Sequence, residues 1–274
     1  MRGSELRRDL FRITDSDYGT TGALWKCQDC GFLEAAELKE VLQYYNEMVD
    51  PEYEATSTVR AIQFKQLLRH CIDWFPPPIG ILGLLDVGSG TGILLKEALN
   101  MGLNSEGVEP SKSLCELAKY KGLSVHHGTI PHPEIRRRFD IITLVDVIEH
   151  VSNPVELLGE INRLLKPGGI LLLVTPDIHS LVARVMRNQW WHYRVAHIGY
   201  FQKATLKLAL NRAGFEITKC FRPLWHLPAG YLLERLRKYC PFLPAHLPNS
   251  IASCAVPLNM FDSMAVLATP RKVG

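Results

Sequence analysis

The chain has 274 residues, enough for one α/β domain with appendages. Its 47% hydrophobic and 22% charged residues are those of an ordinary globular protein, and a net charge of +3 with no long basic block gives no reason to expect a nucleic-acid partner. No stretch has the apolar length of a membrane span, the string Met1-Arg2-Gly3-Ser4-Glu5-Leu6-Arg7-Arg8 has no apolar signal core, and the seven scattered cysteines suit a reducing, cytoplasmic setting.

In chain order, residues 1–34 read as irregular. They contain Cys27-Gln28-Asp29-Cys30-Gly31, half of a zinc knuckle. A structural zinc wants four ligands, and no second pair stands nearby, so a turn with two free thiols is the expectation. The spacing of Leu38, Val41, Leu42 and Tyr45 predicts a helix over 34–46. A second helix is expected over 57–75, stopped by Pro76-Pro77-Pro78. Residues 1–52 are accordingly set apart as an extension, with the main domain over 53–274.

Leu84-Leu85-Asp86-Val87-Gly88-Ser89-Gly90-Thr91-Gly92 organises the rest of the chain. An apolar strand ends in an acid, three alternating glycines turn the chain, and a helix begins at Ile93. Glycines here permit positive φ and close approach to a ligand, and the helix N-terminus directs free N–H groups into the same space. A second strand ends at Glu109-Pro110, and Ser111 is placed to cap a helix to Tyr120. Residues 123–126 read as a third strand and 139–145 as a buried fourth. A helix is expected over 154–165, then a turn at Pro167-Gly168-Gly169, then a buried strand over 170–174. The helix expected over 203–212 ends at Gly214, and the last strands are sought in 215–221 and 260–268. This alternation predicts a doubly wound, mostly parallel seven-stranded α/β sheet.

In such sheets ligands bind beyond the carboxyl ends of the strands. The first strand presents Asp86, Gly88, Ser89, Gly90 and Gly92; the second presents Glu109 and Pro110. A carboxylate at Glu109 has lone pairs for both hydroxyls of a ribose. The third strand leads to Gly128-Thr129-Ile130, where a backbone amide and an apolar side chain could hold a purine edge. The fourth leads to Asp146-Val147-Ile148-Glu149-His150-Val151. The glycine spacing is G-x-G-x-G and lacks the last interval of the dinucleotide fingerprint.

Together these residues resemble the class I S-adenosylmethionine-dependent methyltransferases. Asp86 to Gly92 is similar to their first motif and Glu109 to their ribose-binding acid. The runs Glu149-His150-Val151 and Leu164-Leu165-Lys166-Pro167-Gly168-Gly169 resemble those of a subgroup that includes the ubiquinone-biosynthesis O-methyltransferases. The resemblance implies S-adenosylmethionine as cofactor, a Rossmann-like methyltransferase fold, and cofactor contacts from Asp86, Gly88, Ser89, Gly90, Gly92, Glu109, Pro110, Thr129, Ile130, Asp146 and Val147. It implies methyl transfer to a small or lipid-like acceptor at oxygen, with carbon and nitrogen acceptors open.

A hydroxyl acceptor benefits from a base, for which His150 and His197 are the candidates, with His192 a third. Each could equally hold loop shape or pack in the core. No metal-ligand constellation is visible in the sequence, and none is expected. The insertion over 223–257 contains an apolar stripe, Leu232, Leu233 and Leu236, with Arg235, Arg237 and Lys238 on its flank. A lid over the pocket and an anionic membrane surface both fit it. Two other classes share parts of the pattern, a non-catalytic cofactor-binding module and a nicotinamide-dependent dehydrogenase.

Overall fold

The computed structural model describes residues 8–12, 21–76, 80–237 and 240–271. The sequence readings on residues 1–7, 77–78 and 238–239 lie outside the described residues.

The chain opens with strands β1 (Leu24–Lys26) and β2 (Leu33–Ala35), then helices α1 (Leu42–Tyr45), α2 (Pro51–Ala55) and α3 (Ser57–Ile72). The central region comprises β3 (Gly83–Val87), α4 (Ile93–Asn100), β4 (Asn104–Glu109), α5 (Lys112–Tyr120), β5 (Val125–His127), β6 (Phe139–Val145), α6 (Pro154–Leu164) and β7 (Leu165–Pro176). Beyond it come α7 (Leu181–Met186), β8 (Gly199–Tyr200), α8 (Lys203–Arg212) and β9 (Phe215–Phe221). The insertion contains β10 (Trp225–Pro228), α9 (Ala229–Arg237), α10 (Asn249–Ala252) and β11 (Ala255–Leu258), and β12 (Ser263–Pro270) is the last strand.

Seven strands form one sheet in the order β5-β4-β3-β6-β7-β12-β9. All neighbours run parallel except β12, which is antiparallel to both β7 and β9. The apolar runs are continuous because both faces are covered. Alternate residues serve opposite cores: Leu84, Leu172 and Val174 pack with α3 and α4, whereas Leu85, Leu171 and Leu173 pack with α6 and α8. Strand order reverses at β3, between β4 and β6, so its carboxyl end is the expected ligand crevice.

Local chemistry places the elements that flank this crevice. Ser111 accepts from the Leu114 N–H and caps α5, as its sequence position predicts. Asn153 caps α6, with Pro154 at its first position. The expected turn at Pro167-Gly168-Gly169 is absorbed into the opening of β7, where the pairing with β6 shifts register and Gly168 takes φ +79°.

The first 52 residues depart most from expectation. The predicted helix over 34–46 survives only as α1, because Leu33–Ala35 is recruited as a strand between β1 and β8. Cys27 and Cys30 sit in the turn of that β1–β2 ribbon, closed by bonds from the Cys27 N–H to the Phe32 carbonyl and from the Gly31 N–H to the Cys27 carbonyl. Phe11 packs with Val195, Ala196 and Ile198 of the main domain, and the 52/53 division falls inside α2. In the insertion, β10 and β11 pair antiparallel and bring α9 over the carboxyl ends of the sheet.

Gly92 opens α4 at φ +78°, and a Cβ there would collide with Leu123 Cδ1. Gly92→Ala is expected to lower stability by about 2–4 kcal/mol in urea unfolding. Leu123→Ala in the double variant should recover the steric part and leave the backbone strain.

Candidate active site

A cavity of about 660 Å³ opens above the carboxyl ends of β3, β4 and β6. Of the sequence candidates, Gly88, Glu109, Pro110, Thr129, Ile130, Asp146, Val147, His150, His192 and His197 line it. Asp86, Ser89, Gly90 and Gly92 do not. Asp86 is buried and accepts from Thr143 Oγ1 at 2.6 Å, and the Ser89 side chain is buried beside Gly107. These four act beneath the cavity floor.

Glu109 fixes that floor. Its Oε2 accepts from the Gly90 N–H at 2.7 Å and its Oε1 from the Ser111 N–H at 2.8 Å. Each oxygen keeps a lone pair, and the residue lines the cavity, so two ligand hydroxyls can still be received. Burial pushes the Glu109 carboxyl up to about 7 against the pull of those two N–H bonds. Burial likewise raises Asp86 to about 7, against its Thr143 bond. Asp146, held at φ +52° where β6 ends, is accessible within the cavity but enclosed by protein, and that enclosure raises it to about 6 while His192 and Arg60 oppose it. A crowd of carboxyls made costly by burial is a fitting receptor for a cation with hydroxyls, and S-adenosylmethionine is one.

The opposite wall carries histidines. His150 Nδ1 lies 2.7 Å from the Ala196 carbonyl and 2.8 Å from Tyr45 Oη. A carbonyl only accepts, so Nδ1 carries the proton and Nε2 keeps the lone pair. Burial lowers the His150 pKa to about 4, which keeps the ring neutral. His197 lies edge-on to it with ring centroids 4.7 Å apart, and its pKa is pushed well down by burial and then by His150. Glu149 receives the Thr175 hydroxyl at 2.9 Å, and burial, then the charge of Asp146, raise its carboxyl well above the usual range. Glu149 Oε1 and His197 Nδ1 are buried without a hydrogen-bond partner among the described residues. Glu149, His150 and His197 bring ligand atoms within 4.8 Å of one another, a donor set able to hold a divalent ion. The sequence conceals this set because His197 lies beyond the whole of β7 and α7.

Other lining residues escape sequence reasoning. Tyr53 of α2 stacks under Arg60, 4.4 Å from the ring centroid, and stands against Gly90, where a Cβ would come within 3.1 Å of the ring. Tyr45 is bonded to His150 from α1. Only Asp50, which caps α2 through the Tyr53 N–H, marks this segment locally. The insertion adds Tyr231, Leu232, Arg235 and Leu236, with Trp225, Leu227, Leu258 and Met260 beside them. Arg235 is buried and donates to the Tyr231 hydroxyl at 2.9 Å. No helix among the described residues is long and apolar enough to cross a membrane.

The sheet order and this crevice define a class I methyltransferase fold. The model of a family described as methyltransferase domain matches residues 63–219, more than half of the chain, and the chain belongs to that family. The ubiquinone biosynthesis O-methyltransferase of Bradyrhizobium sp. (strain ORS 278) is 31% identical over 124 residues, 43% of this chain and 45% of that protein. The chain thus spans about half the length of the curated relatives it matches. An S-adenosylmethionine-dependent methyltransferase from Archaeoglobus fulgidus superposes with a TM-score of 0.54 at 19% identity, covering 80% of this chain and 99% of that one. The magnesium protoporphyrin IX methyltransferase of Synechocystis PCC 6803, solved with bound SAH, gives 0.53 at 12%, covering 83% and 91%. At these identities the two structures speak for the fold. Family membership sets the dehydrogenase reading aside and makes S-adenosylmethionine the cofactor.

Asp86 and Glu109 are both held above their unfolded values. Each therefore contributes stability that is complete below the unfolded pKa, about 4, and is lost as pH rises through about 7. The unfolding temperature of the ligand-free protein is expected to fall across that window. Glu109→Gln should flatten the fall in a calorimetric pH series, and a slope unchanged in that variant would contradict the assignment. In titration calorimetry the same variant should bind S-adenosylmethionine at least about tenfold more weakly.

Proposed function

We propose that this chain transfers a methyl group from S-adenosylmethionine to a hydroxyl oxygen of a small or lipid-like acceptor. The observation that carries this reading is His150, whose Nδ1–H is committed to the Ala196 carbonyl while the ring lines the cavity as a neutral base. A neutral hydroxyl is a weak nucleophile and gains from a partner that removes its proton as the methyl is transferred.

The cofactor supplies an electrophilic methyl bound to a sulfonium. Glu109 would receive the ribose hydroxyls, and Pro110, Thr129 and Ile130 would border the adenine. Asp146 and Val147 would stand beside the amino-acid and sulfonium end. His150 Nε2 would take the acceptor proton, with the Ala196 carbonyl holding the ring in that tautomer. His197, also neutral, would pack against the base and keep water out. Transfer is an in-line displacement, so alignment of acceptor and methyl supplies much of the rate.

Trp225, Leu227, Tyr231, Leu232, Leu236, Leu258 and Met260 give the acceptor end an apolar lining. This supports an acceptor with a largely apolar body, in keeping with relatives named for O-methyl transfer in ubiquinone biosynthesis. Contact with a membrane periphery through the insertion is compatible with that acceptor.

Methyl transfer to a panel of apolar phenols, with amines of matched shape as controls, tests the reading. His150→Ala should lower kcat by about 10²–10⁴ while leaving cofactor affinity within a few-fold. Because burial holds His150 near 4, its basic form persists and kcat should not fall on that account between pH 8 and pH 6. Transfer confined to amines would remove oxygen chemistry from the site, and transfer to phenols undiminished in His150→Ala would remove His150 as its base. No turnover with any acceptor despite tight cofactor binding would favour the binding-module alternative.

A further inference from the structure

The segment that joins β5 to β6, His126-His127-Gly128-Thr129-Ile130-Pro131-His132-Pro133-Glu134, carries ligating side chains at both its ends. Residues 128–131 line the cavity; His126, His132 and Glu134 do not. His126 Nδ1 lies 2.5 Å from Glu134 Oε2, and the His126 and His132 ring centroids are 5.4 Å apart. The three side chains bring ligand atoms within 4.8 Å of one another.

We propose that His126, His132 and Glu134 form a site for one divalent transition-metal ion of the zinc, cobalt or nickel type. Two imidazoles and a carboxylate are borderline donors that suit these ions, whereas magnesium and calcium take oxygen sets. Three protein ligands leave a position for water.

The surroundings are those of a ligand set. His126 turns its other nitrogen, Nε2, to Glu106 Oε2 at 3.2 Å, and Arg137 holds the second oxygen of Glu106. A carboxylate behind the distal nitrogen orients a metal-binding imidazole and raises its basicity. His132 Nε2 lies 3.2 Å from the His127 carbonyl, so that nitrogen carries the proton and Nδ1 keeps its lone pair. Nδ1 receives only a long bond, 3.3 Å, from the Glu134 N–H. Tetrahedral zinc places its ligand atoms roughly 3.3 Å apart. His126 Nδ1 and Glu134 Oε2, 2.5 Å apart, must open to that spacing, and the Glu134 side chain is 67% exposed and can swing. Bound metal would fasten the two ends of the stretch that walls the cavity beside Glu109 and Pro110. His127 reinforces the same wall by donating to the Pro110 carbonyl at 3.1 Å.

The competing account makes His126 a cationic strut between Glu106 and Glu134, and it predicts no response to metal. Full-length protein stripped by chelator would be titrated with cobalt(II) or zinc(II) alone, in a Cys27→Ser, Cys30→Ser, His197→Gln background that silences the other donors. Bound ion is read by equilibrium dialysis, the ligand type by the visible cobalt band, and coupling to the fold by the thermal midpoint. One equivalent should bind with a histidine–carboxylate spectrum and raise the midpoint. His126→Gln and His132→Gln should each weaken binding by at least about tenfold, and Glu106→Gln by about tenfold. Glu134→Gln changes an exposed side chain, so the fold is not at stake and binding should still weaken by about tenfold or more. No stoichiometric cobalt binding, or binding in Glu134→Gln and His132→Gln as tight as in the parent, overturns the proposal.

Discussion

The carboxylate of Glu109 holds the N–H of Gly90 on one oxygen and that of Ser111 on the other, at 2.7 and 2.8 Å. One side chain thereby joins the glycine turn after β3 to the first turn of α5 after β4. Gly88, Gly90 and Gly92 all take positive φ in this turn; the Gly88 and Gly92 N–H groups bond to the Val108 and Ser89 carbonyls, and Glu109 takes that of Gly90. The anchor exists because β3 and β4 are parallel neighbours, which brings Val87 level with Val108 and the residues after them to one edge. Cavity floor and helix cap are one arrangement.

The same junction draws in the N-terminal segment. Ser111 Oγ donates to the Met48 carbonyl at 2.8 Å, Tyr53 lies against Gly90, and Tyr45 reaches His150. Residues outside the region matched by the family model thus complete its site. The side proposed for the acceptor is lined by α9, so segments remote in the chain wall the same cavity. A sheet shared across many methyltransferases can then serve different acceptors, because its roof is made of segments that the sheet does not specify.

The central sheet was legible because its signals are local. The run at Phe139–Val145 is mostly apolar and rich in β-branched residues, Ser111 and Asn153 stand where caps belong, and Lys203–Arg212 is a helix with Leu206, Ala209 and Leu210 buried. The acids at the strand exits followed from topology. What escaped depends on partners distant in sequence. Leu33–Ala35 becomes a strand by pairing with Leu24–Lys26 on one side and Gly199–Tyr200 on the other, which shortens the helix expected from the spacing of Leu38 to Tyr45. The commitment of His150 Nδ1 is set by Ala196, and the role of Tyr53 by its place above Gly90. The glycine turn itself reads, in the sequence, as clearance for a ligand. At Gly88 the clearance is needed first for Val147, whose Cγ2 would lie 2.5 Å from an added Cβ.

Burial in this cavity works on acids and bases in opposite directions with one result. Asp86, Glu109, Asp146 and Glu149 are raised, His150 and His197 are lowered, and each moves toward its uncharged form. A cationic ligand reverses this for the carboxyls alone, since a nearby positive charge favours carboxylate and further disfavours imidazolium. Cofactor binding would thus charge the floor while keeping the histidines basic. On the proposed mechanism the acid side would gain hold on the sulfonium while the base side stayed ready for a proton, with no group required to serve both ends.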